Sequence, residues 1–489
     1  MALPNIGLSS QTDSPRFECE GYREMKDMWE LVEDLLGGTL TMREAGIKWL
    51  PQEDGEEPRS YTIRIERSVL YTGFGDTVEK LAARPFSKPL TIKGTLPQQL
   101  QWMLVNADRR GQPFEVVAHE QFRDGVAYGL AHWLVDYPIV ENNITLAQEE
   151  AAKIAPYIKR IEPDDLIFWD EDNDGNLLEI RYSEDRVLKE GVFGQKCVEY
   201  IIQWTPDTVT EYEMNGVSVV NTISRTHTHK RIPLFTFYTE RTGFMTANPP
   251  LEDLAWMNVA HWQSYSDQRN ILRFARMGIL AMTGITAEER DKATVIAANR
   301  ALKSTSPEAK FFYVEHSGKA IGAGANDIAT IEEKMMVLGM QPLFESSGKA
   351  TATGRAMDES RSSSLAQSWA LEFAKFLEAV LRYAADIIEQ PLGADFKVTI
   401  YNEFSLSLKA GLDVQALLAM RQAGQISHAT FLDEMKRRSV LSESVVIEEE
   451  MAQAKKESQQ AMATAQAQQS QRQKSVNNMR DPVVNPAGI

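Results

Sequence analysis

The sequence contains only two cysteines, Cys19 and Cys197, among its 489 residues. So few cysteines exclude a disulfide framework and a cysteine-based zinc site, which fits a protein of a reducing compartment. Long apolar runs are also lacking, because charges interrupt every apolar stretch well before the ~18 residues that a membrane helix needs. The first residues lack the basic segment and apolar core of a secretory signal. We therefore expect a soluble protein without membrane contacts.

Basic residues are too few to balance the acidic ones. Lys and Arg number 52 against 69 Asp and Glu, which gives a formal net charge of −17. This balance excludes binding to nucleic acid through a general basic field, so any contact with DNA must be local. Hydrophobic residues at 43% and charged residues at 25% indicate a folded chain, and its length predicts several compact regions.

Metal-binding patterns are incomplete. Asp170, Asp172 and Asp174 imitate the start of a calcium-binding loop, but Arg181 stands where the loop needs a bidentate Glu. An acidic hairpin turn is the better interpretation. His227 and His229 alternate as two metal ligands on one strand face would, yet no third ligand is near them. We expect exposed strand residues there.

Catalytic patterns are lacking as well. The segment SSGKAT at 346–351 resembles the end of a phosphate-binding loop, but Leu343 replaces the first glycine and Ala350 the magnesium-binding hydroxyl. We reject a nucleotide site, and Lys349 and Arg355 remain as local positive charges. The sequence contains neither Gly-x-Ser-x-Gly nor a cysteine-nucleophile context. It predicts no enzyme, no cofactor and no metal.

The elements that are present predict an α+β fold, mainly helical. Apolar spacing predicts a helix over 24–38, a second helix from Tyr61 to Ala83, a short extended piece between Pro85 and Pro89, and a helix that ends at Gly129 before a buried strand up to Pro138. Period-two runs predict antiparallel hairpins at about 161–240, with turns at Asp174-Gly175 and Asn215-Gly216.

The second half is helical with one interruption. A long helix at 251–277 precedes a strand, a helix and a strand within 278–318, and a returning helix with Pro342 near its end should run beside the first. Trp262, Tyr265 and Phe274 alternate with Arg269, Arg273 and Arg276 and could stack on bases, but packing between helices is the better interpretation. The next helix has one apolar stripe: Leu365, Trp369, Phe373, Phe376, Val380, Ala384 and Ile387. A helical hairpin with Ser427 as an N-cap follows, and then a tail that is a frayed helix or disordered.

Three stretches resemble one family of portal proteins of tailed bacteriophages. They are DGVAYGLAHWLVDYP (124–138), PPLEDLAWMNVAHWQSYSDQRNIL (249–272) and KATATGRAMDESRSSSLAQSWALEF (349–373), and the resemblance covers most of residues 60–440. It implies the following regions: a wing at 1–250, a first stem helix at 251–277, a β-α-β clip at 278–322, a second stem helix at 323–343, a tunnel loop at 344–355, a long wing helix and a strand at 356–405, crown helices at 406–450, and a Gln/Ala-rich, partly disordered tail at 451–489.

The resemblance also implies a function. Such portals are dodecameric rings at a capsid vertex of the virion, made in the host bacterial cytoplasm, and double-stranded DNA passes through them during packaging and ejection. The expected partners are further copies of the chain, the major capsid protein, the terminase large subunit and then the head–tail adaptor. The alternative is a head-associated scaffold or minor capsid protein, which would also be acidic and helical.

The same resemblance implies two sets of site residues. The candidates for contact with DNA in the channel and tunnel loop are Lys334, Lys349, Thr351, Thr353 and Arg355. The candidates for docking terminase and adaptor at the clip are Glu288, Glu289, Arg290, Lys292, Arg300 and Lys303.

Overall fold

The structure is a computed structural model, in which the chain forms two compact units, Met1–Phe404 and Ser405–Ile489. It combines helices with antiparallel sheets, which confirms the predicted α+β class. Among the described residues, no helix has the length and apolarity required to cross a bilayer. The structure describes residues 14–138, 152–277, 279–284, 304, 306–314, 318–339, 352–402, 404, 410–437, 440–441 and 445–478.

The first helix of unit 1 confirms the apolar spacing from which it was predicted. Trp29 is buried at its centre, and the indole Nε1 donates a hydrogen bond to the carbonyl oxygen of Tyr128 at 3.0 Å. The predicted helix from Tyr61 to Ala83 is instead two helices, because Ser68 leaves the helical conformation and its hydroxyl donates to the carbonyl of Arg64. The helices before the first sheet are α1 (Glu20–Gly37), α2 (Thr39–Ala45), a 3-10 turn (Gly46–Lys48), α3 (Pro58–Arg67), α4 (Gly73–Ala83), α5 (Gln98–Val105) and α6 (Phe114–Tyr128).

Helix α6 ends where the sequence predicts. Gly129 adopts a φ of 90°, and a Cβ added there would lie 2.4 Å from the backbone oxygen of Asn248, so a side chain has no room at this crossing. The buried strand that follows is also confirmed. The extended piece predicted between Pro85 and Pro89 is wrong: the chain bends there, and the strand is Thr91–Lys93, which pairs with Lys397–Thr399.

Two antiparallel sheets follow α6, as the period-two pattern predicts. One sheet contains residues 157–161, 130–136 and 234–238 in that spatial order. The other is a series of five strands between residues 166 and 226, in which each strand pairs with the next one along the chain. The three-stranded sheet packs against α6, and the five-stranded sheet buries side chains of its first four strands in the two apolar clusters of unit 1. The strands are β1 (Thr91–Lys93), β2 (Leu130–Asp136), β3 (Tyr157–Ile161), β4 (Leu166–Glu171), β5 (Leu177–Glu190), β6 (Gly194–Trp204), β7 (Thr208–Asn215), β8 (Ser218–Thr226), β9 (Leu234–Tyr238), β10 (Arg241–Gly243) and β11 (Thr246–Ala247), with a 3-10 turn at Pro163–Asp165.

A helix, a two-stranded hairpin and a returning helix come next. Helix α7 (Glu252–Met277) leads into β12 (Ile279–Thr283), which pairs antiparallel with β13 (Lys310–Val314). Helix α8 (Lys319–Leu338) then returns beside α7. The returning helix was predicted at 323–343, and in the structure it begins four residues earlier and ends five residues earlier. The helix predicted between the two strands falls on residues outside the described part of the chain.

The long helix α9 (Ala352–Ile387) completes the core of unit 1, with β14 (Lys397–Thr399) after it. Trp369, Phe373 and Val380 are buried as predicted, but Leu365 is 44% exposed. The loop predicted at 344–355 is wrong in its last part, because the chain is helical from Ala352 onward. Residues 344–351 lie outside the described residues.

Unit 2 contains three helices in its described residues. They are α10 (Ala410–Gln422), α11 (His428–Arg437) and α12 (Ile447–Asn478). Ser427 caps α11 as predicted, since its Oγ accepts a hydrogen bond from the amide of Thr430 at 3.1 Å. Of the two interpretations of the tail, the helical one applies to the residues up to Asn478.

Candidate functional site

Helix α7 is bound to the N-terminal helices by polar side chains. Asn258 is fully buried; its Oδ1 accepts from the amide of Phe74 and its Nδ2 donates to the carbonyl of Tyr71, both at 2.9 Å. One and a half turns later, Gln263 donates to the carbonyl of Trp49 at 2.9 Å. These bonds satisfy backbone groups at helix ends and loops, and the Phe74 amide would otherwise be buried without a partner.

The opposite face of α7 packs against α8. Gln268 donates to the carbonyl of Ile321 at 2.9 Å, and His261 Nε2 lies 3.2 Å from Glu332 Oε1. Residue numbers rise along α7 as they fall along α8, so the two helices are antiparallel. Gly324 permits the close approach, because a Cβ there would lie 2.3 Å from the side-chain oxygen of Gln268. The prediction that the two helices run side by side is confirmed.

A cavity of about 470 Å³ lies between α3 and the C-terminal half of α7. We call it the arginine groove. Five of its lining residues are arginines and none is acidic, in a chain whose net charge is −17. The lining residues are Ile63, Arg64, Arg67, Ser68, Ser266, Arg269, Asn270, Leu272, Arg273 and Arg276. The groove is therefore a local concentration of positive charge in an acidic protein.

Arg64 forms the buried end of the groove. Its side chain is 4% exposed and makes two hydrogen bonds to the Glu56 carboxylate, at 2.8 and 3.0 Å, and one to the carbonyl of Pro51 at 2.8 Å. The hydrogen bonds from Arg64 lower the pKa of Glu56. Asp267 is a weaker partner at 3.4 Å, and burial raises the pKa of its carboxyl group although Arg64 opposes this. The chain thus neutralises Arg64 with its own carboxylates.

The open end of the groove is different. Arg67, Arg269 and Arg276 are exposed, and within the described part of the chain none of the three forms an ion pair. Arg269, Arg273 and Arg276 stand at positions i, i+4 and i+7, so they share one face of α7 over about 10 Å of helix. The hydroxyl groups of Ser68 and Ser266, 2.8 Å apart, close the floor of the groove. This arrangement can bind an extended anion.

The structure does not bring the predicted channel residues together. Lys334 is exposed on α8, whereas Thr353 and Arg355 lie in the first turn of α9 and not in a loop. Lys349 and Thr351 fall outside the described residues. So do all six clip candidates: Glu288, Glu289, Arg290, Lys292, Arg300 and Lys303.

The aromatic residues of α7 follow the packing interpretation where the structure describes them. Trp262 is fully buried, and the Tyr265 ring stacks on His261 with centroids 5.6 Å apart. Stacking on bases is thus not available to Trp262. Of the arginine groove, the sequence drew attention to Arg269, Arg273 and Arg276, but not to Arg64 and Arg67, which α3 brings to them. The i, i+3 spacing of this pair was the only signal.

The two alternating histidines are not exposed strand residues, so that prediction is wrong. They follow the end of β8: the Tyr383 hydroxyl lies 3.1 Å from His229 Nδ1, and the His227 ring packs on Trp204 with centroids 5.0 Å apart. His229 is 5% exposed and its Nε2 lies 3.2 Å from Asp136 Oδ1, while His227 Nε2 lies 2.9 Å from the carbonyl of Thr205. Among the described residues, no three His, Cys, Asp or Glu side chains are grouped as metal ligands.

The acidic hairpin turn between β4 and β5 is confirmed. Asp172 Oδ1 accepts hydrogen bonds from the amides of Asp174 and Asn176 at 2.9 and 2.8 Å. A hydrogen bond from the Asn176 side chain to Oδ2, at 2.9 Å, and these backbone bonds favour the charged form and lower the pKa of Asp172. The carboxylate thus closes its own turn, with β4 and β5 pairing on either side.

One family model matches the chain. It is described as a domain of unknown function (DUF4055), and it covers residues 250–388, which contain α7, the β12–β13 hairpin, α8 and α9. No curated protein matches.

Solved structures with partial similarity come from gene transfer agent particles. A chain of the neck of the native particle, computed with C12 symmetry, is 12% identical over 73% of this chain and 87% of that one, with a TM-score of 0.36. A chain of the neck of the empty particle, computed with C6 symmetry, is 12% identical over 74% of this chain and 88% of that one, with a TM-score of 0.42. A chain of the native virion is 12% identical over 74% of this chain and 87% of that one, with a TM-score of 0.38. At these scores the similarity does not establish a shared fold.

Proposed function

We propose that this chain is a portal protein: a subunit of a ring at a capsid vertex through which a phage genome is packaged and ejected. The observation that carries the proposal is the antiparallel pair α7 and α8, joined by the β12–β13 hairpin and followed by the long helix α9. This is the order of stem, clip, stem and wing helix that the resemblance of the sequence to portal proteins implies.

The surface of the helix pair supports assembly with further copies. Trp256 on α7 is 48% exposed and Val337 on α8 is 66% exposed, although neighbouring residues on both helices are buried. Large apolar side chains left on a helix pair are typical of a face that meets a neighbour. A closed ring of identical subunits would cover them, and twelve copies are expected from the resemblance.

The charge of the chain supports passage of DNA without tight binding. An acidic channel repels the phosphate backbone, so the duplex meets no site of tight binding as it moves through the channel. Isolated cations would give short, sequence-independent contacts. Lys334, Lys349 and Arg355 are the proposed positions, with the terminase and later the adaptor bound at the β12–β13 hairpin.

Electron microscopy of the purified full-length protein tests the proposal. We expect closed rings with an axial hole, because only the portal function requires a channel. The protein should be imaged at concentrations that also give assembled heads in a co-expression system. Under these conditions, monomers, filaments or solid particles without a hole would favour the alternative of a scaffold or minor capsid protein. The proposed role includes no catalytic step, so nuclease or protease activity of the pure protein would also contradict it.

A further inference from the structure

We propose that the arginine groove between α3 and α7 is a binding site for the phosphate groups of a nucleic-acid backbone. None of the residues predicted for contact with DNA lines it. The inference does not depend on ring formation, because every residue involved belongs to a single subunit. It adds a defined binding site to a protein whose overall charge opposes contact with nucleic acid.

The choice of side chain favours phosphate. All five cationic residues of the groove are arginines and none is a lysine. A guanidinium group presents a planar set of donors that fits two oxygens of one phosphate, whereas an ammonium group acts as a point charge. The side-chain amide of Asn270 adds a neutral donor to the same lining. The groove therefore offers both charge and directed hydrogen bonds to an oxyanion.

The shape of the groove favours a chain of phosphates over a single one. Arg269, Arg273 and Arg276 follow one another along one face of α7, and Arg67 faces them from α3. Arg64 is already bound to Glu56, so it closes one end and leaves the other end open to solvent. A row of cations of this length matches a backbone with regularly repeated charges better than an isolated ion.

The composition of the groove disfavours a protein partner. Protein interfaces have apolar and aromatic centres, whereas interfaces with nucleic acid are more polar and much more positive. Ile63 and Leu272 are the only apolar residues of the lining, and it contains no aromatic ring. Its five arginines and its lack of an aromatic centre thus fit a nucleic-acid backbone better than an acidic protein surface.

Binding of a short fluorescein-labelled DNA duplex, measured by anisotropy over a series of salt concentrations, tests the inference. The variant is R67E/R269E/R276E, which changes three exposed arginines that form no ion pair within the described part of the chain. The matched control is R110E/K189E/K196E, which removes three exposed cations outside the groove and changes the net charge equally. Unfolding curves of all three proteins verify that the fold is intact. A second variant, R67K/R269K/R276K, keeps the positive charge but loses the planar set of donors that a guanidinium group presents.

We expect the groove variant to bind DNA at least about 10-fold more weakly than the control at moderate salt, and to reduce the slope of log K against log salt by about three units. The lysine variant should keep the slope and bind more weakly. At equal ionic strength, inorganic phosphate should compete poorly with the duplex, because one phosphate fills only part of the row.

Three outcomes would overturn the inference. Equal weakening in the groove variant and the control would show that net charge alone matters. Displacement of the duplex by inorganic phosphate at low concentration would show a site for a single free anion. Unchanged DNA binding, together with lost self-association in the groove variant, would show that the groove meets an acidic surface of a second copy. In each case ring formation by the unmodified protein would still be observed, so failure here is distinct from failure of the portal proposal.

Discussion

Asp124 is an ionisable side chain in the interior of unit 1. It lies on α6 with only 6% of its side chain exposed, and Arg160 and Arg123 approach its carboxylate no closer than 3.6 and 3.7 Å. Neither distance is a hydrogen bond. Burial raises the pKa of Asp124 to about 7, although the two arginines oppose this. The protein thus contains a carboxyl group that is neutral in mildly acidic solution and charged above neutrality.

Replacing Asp124 by Asn should flatten the pH dependence of stability. An acid whose pKa rises from 3.8 to about 7 on folding binds its proton more tightly in the folded state. Its contribution to the free energy of unfolding therefore falls as pH rises from about 4 through about 7. Relative to the wild type, D124N should gain up to about 4 kcal/mol between pH 4 and pH 8.

Urea denaturation over this pH range measures that difference. The exposed Asp207 supplies the control, since D207N should follow the wild-type curve. The slope should not vanish in D124N, because burial and the neighbouring Asp164 also raise the pKa of Asp165 to about 7. Parallel curves for D124N and the wild type would contradict the assignment.

At the scale of helices and strands, the sequence predicted elements whose apolar periodicity matches their burial. α1, α6 and the strands from β4 to β7 are of this kind, since their buried side chains belong to the two apolar clusters of unit 1, whereas β8 is exposed throughout. It did not predict the break between α3 and α4. Ser68 ends α3 through hydrogen bonds to Arg64 and Ser266, and the second of these spans 198 residues. Periodicity carries no information about such a partner.

The candidate site was predictable only in part for the same reason. The spacing of Arg269, Arg273 and Arg276 is visible in the sequence, because it follows from the helical repeat of α7. The position of Arg64 and Arg67 beside them depends on how α3 packs on α7, and nothing near either segment specifies that contact. Leu365 shows the converse error, because its place on the apolar stripe did not make it buried.

Asn258 should contribute strongly to the attachment of α7. N258A would leave the amide of Phe74 buried without a partner and would also remove the bond to the carbonyl of Tyr71, which should cost about 1–3 kcal/mol of unfolding free energy. The matched control is N326A on α8, where Asn326 is exposed and the change should cost less than about 0.5 kcal/mol. Chemical denaturation of both variants provides the comparison, and similar values for the two would show that the bonds of Asn258 are not the cause.

At the scale of the whole molecule, the charge is arranged unevenly. The chain carries a net charge of −17, yet the arginine groove has five cations in one cavity, and Lys334 lies exposed on the other helix of the α7–α8 pair. Uneven charge lets an acidic protein repel a polyanion in general and contact it at chosen positions.

If the portal proposal is correct, K334E/K349E/R355E should lower the amount of DNA retained in filled particles without altering the rings. The expected cause is the loss of brief contacts that resist back-slip, while the subunit contacts are unchanged. Quantification of DNA per particle, with ring counts from micrographs, measures both effects. The R110E/K189E/K196E protein should package normally, and equal retention in all three proteins would exclude a role for the channel cations.

The polar bonds along α7 have a mechanical consequence. Asn258, Gln263 and Ser266 attach this helix to the N-terminal helices at three levels that span about 12 Å of its length. A pull along the helix axis stretches all three attachments together, in shear, whereas a sideways pull opens them one at a time. Helix α7 is therefore held most firmly along its own axis, and if the portal proposal is correct, this attachment would resist the drag of DNA that moves parallel to the helix.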